Sequence, residues 1–375
     1  MQTRDGATNL IEPLTSIRFF AAFSVVLFHS GASFASKSSH FPVFLKTLLM
    51  NGYSGVTFFF VLSGFILQYT YRGRISSGAQ MKKFAVARLA RLYPVYILAV
   101  ALMLPFVTVS GWGDVPQFFL LHWWLQDASL SITNWNMPSW TLSVEFFFYI
   151  CFPLISRAVE QVPWKAVAML ALVLLGFATI TESSTFLSGD LGPFTWMKWV
   201  PAPILRLPEF VIGVCVAELH LRGRMIHVPS WMVATTLLVV LCLTRDAHVG
   251  PFVTAMSALL IASVSANQET RFARLLSKRW FVILGGASYS LYLLHQPVHF
   301  AIKTWIGSDK ILVALQYPTL LVLSVVVFLR FEEPMREWVR ARAGMRPSAI
   351  GQVAEQLNIG TPSAETAPGE LSAHG

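Results

Sequence analysis

The sequence predicts an all-α, polytopic membrane protein with about ten transmembrane helices and both termini in the cytoplasm. Three observations carry that reading. Hydrophobic residues fill 55% of the 375 positions and charged residues only 13%, about half the charged share of a soluble domain. Apolar runs of roughly 18 residues or more recur along the chain, the length that crosses a hydrocarbon core. Lys and Arg are dense in every second connecting segment. The formal charge of +9 is then sorted by membrane side and is no signal for nucleic acid.

The runs fall at 17–34, 53–71, 86–109, 139–157, 164–181, 200–220, 229–244, 250–266, 280–303 and 311–331. The first lacks a small-residue cleavage site and reads as a retained helix, not a signal peptide. With the N-terminus inside, 21 of the 28 Lys and Arg fall in inside segments, six fall outside and Arg206 lies within a helix. The segment 116–126, PQFFLLHWWLQ, is too short to span, and its aromatic content suits an interfacial or re-entrant piece. Cys151, Cys215 and Cys242 all sit in apolar runs. That odd, scattered set argues against a disulfide framework and against a metal cluster. Residues 1–343 read as one membrane domain. Residues 344–375, rich in Ala, Gly, Pro, Ser and Glu, read as a disordered cytoplasmic tail.

Polar side chains inside such runs are costly, so they mark the candidate site. In SIRFFAAFSVVLFHS, Arg18 and His29 are separated by ten residues, about 16 Å along a helix. Arg18 falls at the inner face and His29 past mid-membrane; a histidine that only packs helices is the plainer reading of the latter. The second run, GVTFFFVLSGFIL, carries Ser63 and Gly64, small residues that permit close helix packing or let a ligand chain pass near the backbone. The third opens ARLARLYPVY. Arg88 and Arg91 share a helix face beside Lys82 and Lys83, a pattern for lipid headgroups or, because guanidinium forks suit phosphate oxygens, for a phosphate clamp.

The fourth run, PSWTLSVEFFFY, enters from outside through Pro138 and Trp140. It places Glu145 roughly 9 Å deep, a depth at which a carboxylate is paired, protonated or faces a watery cavity. Counted from opposite faces, Glu145 and His29 reach similar depths, so Glu145 is expected to orient His29 as a general base. In RLPEFVIG, Arg206 and Glu209 can pair across Pro208, which is expected to break the helix between them. In SYSLYLLH, Ser288, Tyr289, Tyr292 and His295 form a mostly one-sided stripe that should face the bundle interior. Spacing leaves open whether His29 or His295 is the base.

Taken together, Arg18-x10-His29, GVTFFFVLSGF, RLARLYPVY, PSWTLSVEFFFY, RLPEFVIG and SYSLYLLH resemble the acyltransferase-3 family of integral membrane acyltransferases, which includes O-antigen and exopolysaccharide O-acetyltransferases. The six motifs lie in the family's order over residues 16–299. The resemblance implies an acyl-CoA donor, acetyl-CoA first, taken from the cytoplasmic side of a cell inner membrane. It implies a carbohydrate or lipid-linked glycan acceptor on the other side, and no permanently bound cofactor or metal. Catalysis would fall to His29 with Glu145. Arg18, Arg88, Arg91, Ser63 and Gly64 would hold the donor, and Arg206, Glu209, Trp140, Tyr289, Tyr292 and His295 the substrate. Without a fused esterase-like domain, the chain reads as a stand-alone transferase. A permease or flippase, with the same polar groups lining a pathway, is the rival reading; no repeated halves with paired broken helices support it.

Overall fold

A computed structural model describes residues 10–37, 41–109, 111–124, 134–182, 200–225, 227–244, 249–307, 310–347 and 351. Among these residues all regular structure is helical and there is no strand. Five stretches are long and apolar enough to cross a membrane: Glu12–Gly31, Val43–Tyr71, Gly78–Phe106, Met137–Gln161 and Ala314–Arg342. The protein is therefore a multi-pass membrane protein. The tail expected from residue 344 onward falls almost wholly outside the described residues.

The helices are α1 (Glu12–Lys37), α2 (Val43–Met50), α3 (Gly55–Tyr71), α4 (Gly78–Met103), α5 (Val115–Phe118), α6 (Trp140–Gln161), α7 (Trp164–Glu182) and α8 (Ala202–Leu205). They continue as α9 (Leu207–Leu221), α10 (Ser230–Leu243), α11 (Val249–Ala266), α12 (Arg271–Leu276), α13 (Arg279–Gly286), α14 (Ser288–Trp305), α15 (Lys310–Val327) and α16 (Glu333–Arg342). A 3₁₀ turn, Asn51–Ser54, joins α2 to α3, and a π-helical turn, Phe328–Glu332, joins α15 to α16.

Two of the ten expected runs are not continuous helices. The run 200–220 breaks at Arg206, between α8 and α9, and not between Arg206 and Glu209 as expected. Pro208 sits in the first turn of α9, where a missing N–H is harmless; its ring would clash with a helical carbonyl four residues back, so the helix must restart just before it. The run 280–303 breaks at Ala287, between α13 and α14. There Gly285 lies so close to α1 that a Cβ would collide with the Thr15 carbonyl. The 116–126 segment contains only the four-residue α5 and turns among its described residues.

α3 is the spine of the bundle. It packs on α9 through two facing glycines: a Cβ on Gly64 would strike the Phe210 carbonyl, and one on Gly213 the Val61 carbonyl. Small residues are what allow membrane helices to approach so closely. α1 lies against α13 and α14, and α16 folds back against α4. At one end of the bundle the buried Glu218 of α9 accepts from Arg72 Nε (2.7 Å), Arg72 Nη2 (2.8 Å), Gln68 Nε2 (2.9 Å) and Arg222 Nε (2.6 Å). That network ties α3 and α9 together where both end.

Candidate functional site

A cavity of about 970 Å³ follows α3 from Tyr71 to Val56, roughly 22 Å of helix. Its mouth is framed by Glu12, Arg74, Lys83, Arg340 and Arg346. Its middle holds Arg18, Ser63, Arg88, Arg91, Glu145, Tyr289, Glu332 and Arg336. Its far end is lined by Val56, Phe59, Thr141, Leu142 and Tyr292. Eight Lys or Arg face three Glu along this wall. Such an excess of guanidinium groups in a narrow space suits an anionic ligand with several acceptor oxygens.

Local sequence explains the convergence. Arg88 and Arg91 lie three apart on α4, and Arg336 and Arg340 four apart on α16, so each pair faces one way. Arg88 donates from Nη2 to the Tyr71 hydroxyl at 3.0 Å, and its guanidinium lies 5.2 Å from the Tyr71 ring centre and 5.8 Å from that of Tyr149. These aromatic faces brace the cation while it still lines the cavity. Arg18 sits in the field of Arg91 and Arg336, offset by Glu332 and Glu145. Glu332 ends the π-helical turn, is buried, and accepts from Ser290 Oγ at 2.5 Å. Glu145 accepts from Ser63 Oγ at 3.3 Å and from the Tyr149 hydroxyl.

Beyond the far end lies a histidine pair. The Tyr292 and His295 ring centres are 6.0 Å apart, and those of His295 and His29 5.1 Å. Nδ1 of His295 meets the Tyr292 carbonyl at 2.5 Å, and Nδ1 of His29 meets the Val25 carbonyl at 2.9 Å. A carbonyl only accepts, so both Nδ1 atoms carry the proton and both Nε2 atoms keep a lone pair. His295 is buried and His29 is exposed. Each neutral ring can therefore accept a proton at Nε2.

The expected partnership of Glu145 with His29 is corrected. Glu145 lines the cavity; His29 is not among its lining residues, and its ring neighbours are Phe28 and His295. A depth counted from Pro138 misplaces Glu145 because the segment before α6 bonds to the middle of α14. Asn136 Nδ2 donates to the Leu293 carbonyl at 3.0 Å, and the Met137 N–H to Gln296 Oε1 at 2.5 Å. Met137 therefore lies level with His295, and Glu145 is eight residues further along, about 12 Å away from that level.

Ser63, Arg18, Arg88, Arg91, Tyr289 and Tyr292 all line the cavity. Gly64 does not; it is the contact with α9. Arg206 and Glu209 are also elsewhere: Arg206 Nη1 pairs with Glu209 at 3.0 Å, while Nη2 donates to Thr57 Oγ1 at 2.9 Å, bridging α9 to α3. Trp140 packs on Phe60 and Trp123. Tyr289 donates to the Leu92 carbonyl at 2.6 Å, fixing α14 to α4. The sequence reading missed Glu332, Arg336, Arg340 and Phe59. The four-residue spacing in EEPMREWVRAR was the available signal for the two arginines; nothing local marks Phe59 among its phenylalanine neighbours.

A family model described as an acyltransferase domain matches residues 13–330. The chain is 29% identical over 307 residues to the acyltransferase MdmB of Streptomyces mycarofaciens, covering 75% of this chain and 77% of that protein. It is 22% identical over 393 aligned positions to the O-acetyltransferase OatA of Staphylococcus aureus, covering 92% of this chain and 60% of that protein. No solved structure matches.

Proposed function

Because the chain belongs to the acyltransferase-3 family of membrane acyltransferases, we propose that it moves an acyl group, acetyl first, from cytoplasmic acyl-CoA to a hydroxyl of a cell-surface or exported carbohydrate. The observation that carries this reading is a single path. A mouth and middle crowded with arginine lead along α3 to a far end one helical turn short of the His295–His29 pair. A coenzyme A thioester has that layout: phosphates at one end, a long neutral arm, and the reacting carbonyl at the other. The O-acetyltransferase name of the S. aureus relative supports a hydroxyl acceptor.

In this mechanism Arg88, Arg91 and Arg18 hold donor phosphates, and the arm passes Ser63. The acceptor hydroxyl meets the exposed His29 and gives its proton to Nε2. Its oxygen bonds to the thioester carbonyl carbon. The C–S bond then breaks, and the histidine proton passes to the departing CoA thiolate. His295 packs against His29 and presents a second Nε2 lone pair along that route. Glu145 acts on the arginines, not on the imidazole. The split of Lys and Arg along the sequence supports both termini, and with them the mouth, lying on the cytoplasmic side.

The test is calorimetric binding of acetyl-CoA to the detergent-purified protein. Binding that survives in His29→Ala and weakens in Arg91→Ala is expected. Absence of any acetyl-CoA binding by the native chain would remove the donor assignment.

A further inference from the structure

We infer that the tilted rings of Phe59 and Tyr292 flank the far end of the donor cavity, beside the way to the histidine pair, and restrict the transferred acyl group to a short chain. The inference rests on the acyl-CoA reading above and adds the residues that set acyl specificity.

The cavity's lining identifies this end. On α14 it includes Ser288, Tyr289 and Tyr292 but not His295; on α6 it includes Thr141, Leu142 and Glu145; on α3 it ends at Val56 and Phe59. A donor entering by the basic mouth points its thioester at this end, and everything attached beyond the carbonyl must lie there. The Phe59 and Tyr292 ring centres are 6.3 Å apart. Tyr292 is buried, and its hydroxyl donates to the Pro138 carbonyl at 3.1 Å and accepts from Thr141 Oγ1 at 3.2 Å. Its ring cannot swing aside without losing both hydrogen bonds. Phe59 has Phe58 beside it, with ring centres 6.3 Å apart, and no polar tie of its own. It is the half of the pair that truncation can open.

A misfitting methylene at an apolar wall discriminates by about 10-fold or more. Purified protein is titrated with acetyl-CoA, butyryl-CoA and octanoyl-CoA, native and as Phe59→Ala, with Phe59→Leu as a milder variant should alanine fail to fold. The native chain is expected to bind acetyl-CoA about 10-fold or more tighter than octanoyl-CoA, and Phe59→Ala to bring the two near parity. Tyr292→Phe removes both hydrogen bonds that hold the ring and should weaken the discrimination in part. Equal binding of all three donors by the native chain, or discrimination unchanged in both Phe59 variants, overturns the restriction. Failure to bind even acetyl-CoA overturns the donor reading instead, so the two failures are distinct.

Discussion

His29 and His295 stand with ring centres 5.1 Å apart, each with Nδ1 held by a backbone carbonyl. Among the described residues, neither ring is bonded to a carboxylate. Replacing either with alanine should cut kcat for transfer by about 10²–10⁴-fold. Donor KM should hardly move, since neither residue lines the cavity. Steady-state kinetics on both variants checks this; a raised donor KM with unchanged kcat would place the pair in binding instead.

Arg88 and Arg91 line the cavity and Lys82 does not. Alanine at either arginine should raise the KM for acetyl-CoA by about 10-fold or more, the weight of a charge-assisted contact. Lys82→Ala should change little. Three equal, small effects would reduce the arginines to headgroup contacts. Lys83, by contrast, lines the cavity and reaches the Gly344 carbonyl at 3.4 Å, so it is not a neutral comparison for the arginines.

Glu145→Gln keeps an acceptor for Ser63 and Tyr149 but removes one of three carboxylates from a cationic cavity. A phosphate-bearing donor should then bind more tightly, by about fivefold for a partly screened charge. The pH dependence of kcat should not shift, because the histidines lie outside the cavity. A displaced acidic limb would restore the direct Glu145–His29 partnership.

Gly64→Ala should force α3 and α9 apart, because the new Cβ meets the Phe210 carbonyl. Overpacking of this kind costs about 1–3 kcal/mol or more. The thermal midpoint in detergent should drop, while the protein that remains folded binds acetyl-CoA as before. Normal stability with weaker donor binding would return Gly64 to the ligand path.

The arginines of the site were legible because a charge inside an apolar run is conspicuous by itself. Side-chain partners were not. Depth along a helix says nothing about which way a residue faces, and Glu145 turned out to face Ser63 and Tyr149. The level of α6 depends on bonds from Asn136 to Leu293 and from Met137 to Gln296, each spanning more than 150 residues. The break at Arg206 had a local sign in its prolines, whereas the break at Ala287 adjoins a contact between Gly285 and Thr15 that no local pattern carries. Arg336 and Arg340 were counted only as inside charges because the fold-back of α16 onto α4 is a tertiary fact.

The central claim is a donor cavity feeding a histidine pair across the membrane. Inverted membrane vesicles from cells expressing the chain, given acetyl-CoA with a radiolabelled acetyl group, test it most directly. Label should enter the carbohydrate fraction with the native chain and fall to background with His29→Ala, while sealed right-side-out vesicles given the same donor should stay unlabelled. Equal labelling by inverted vesicles with and without the chain would contradict the account.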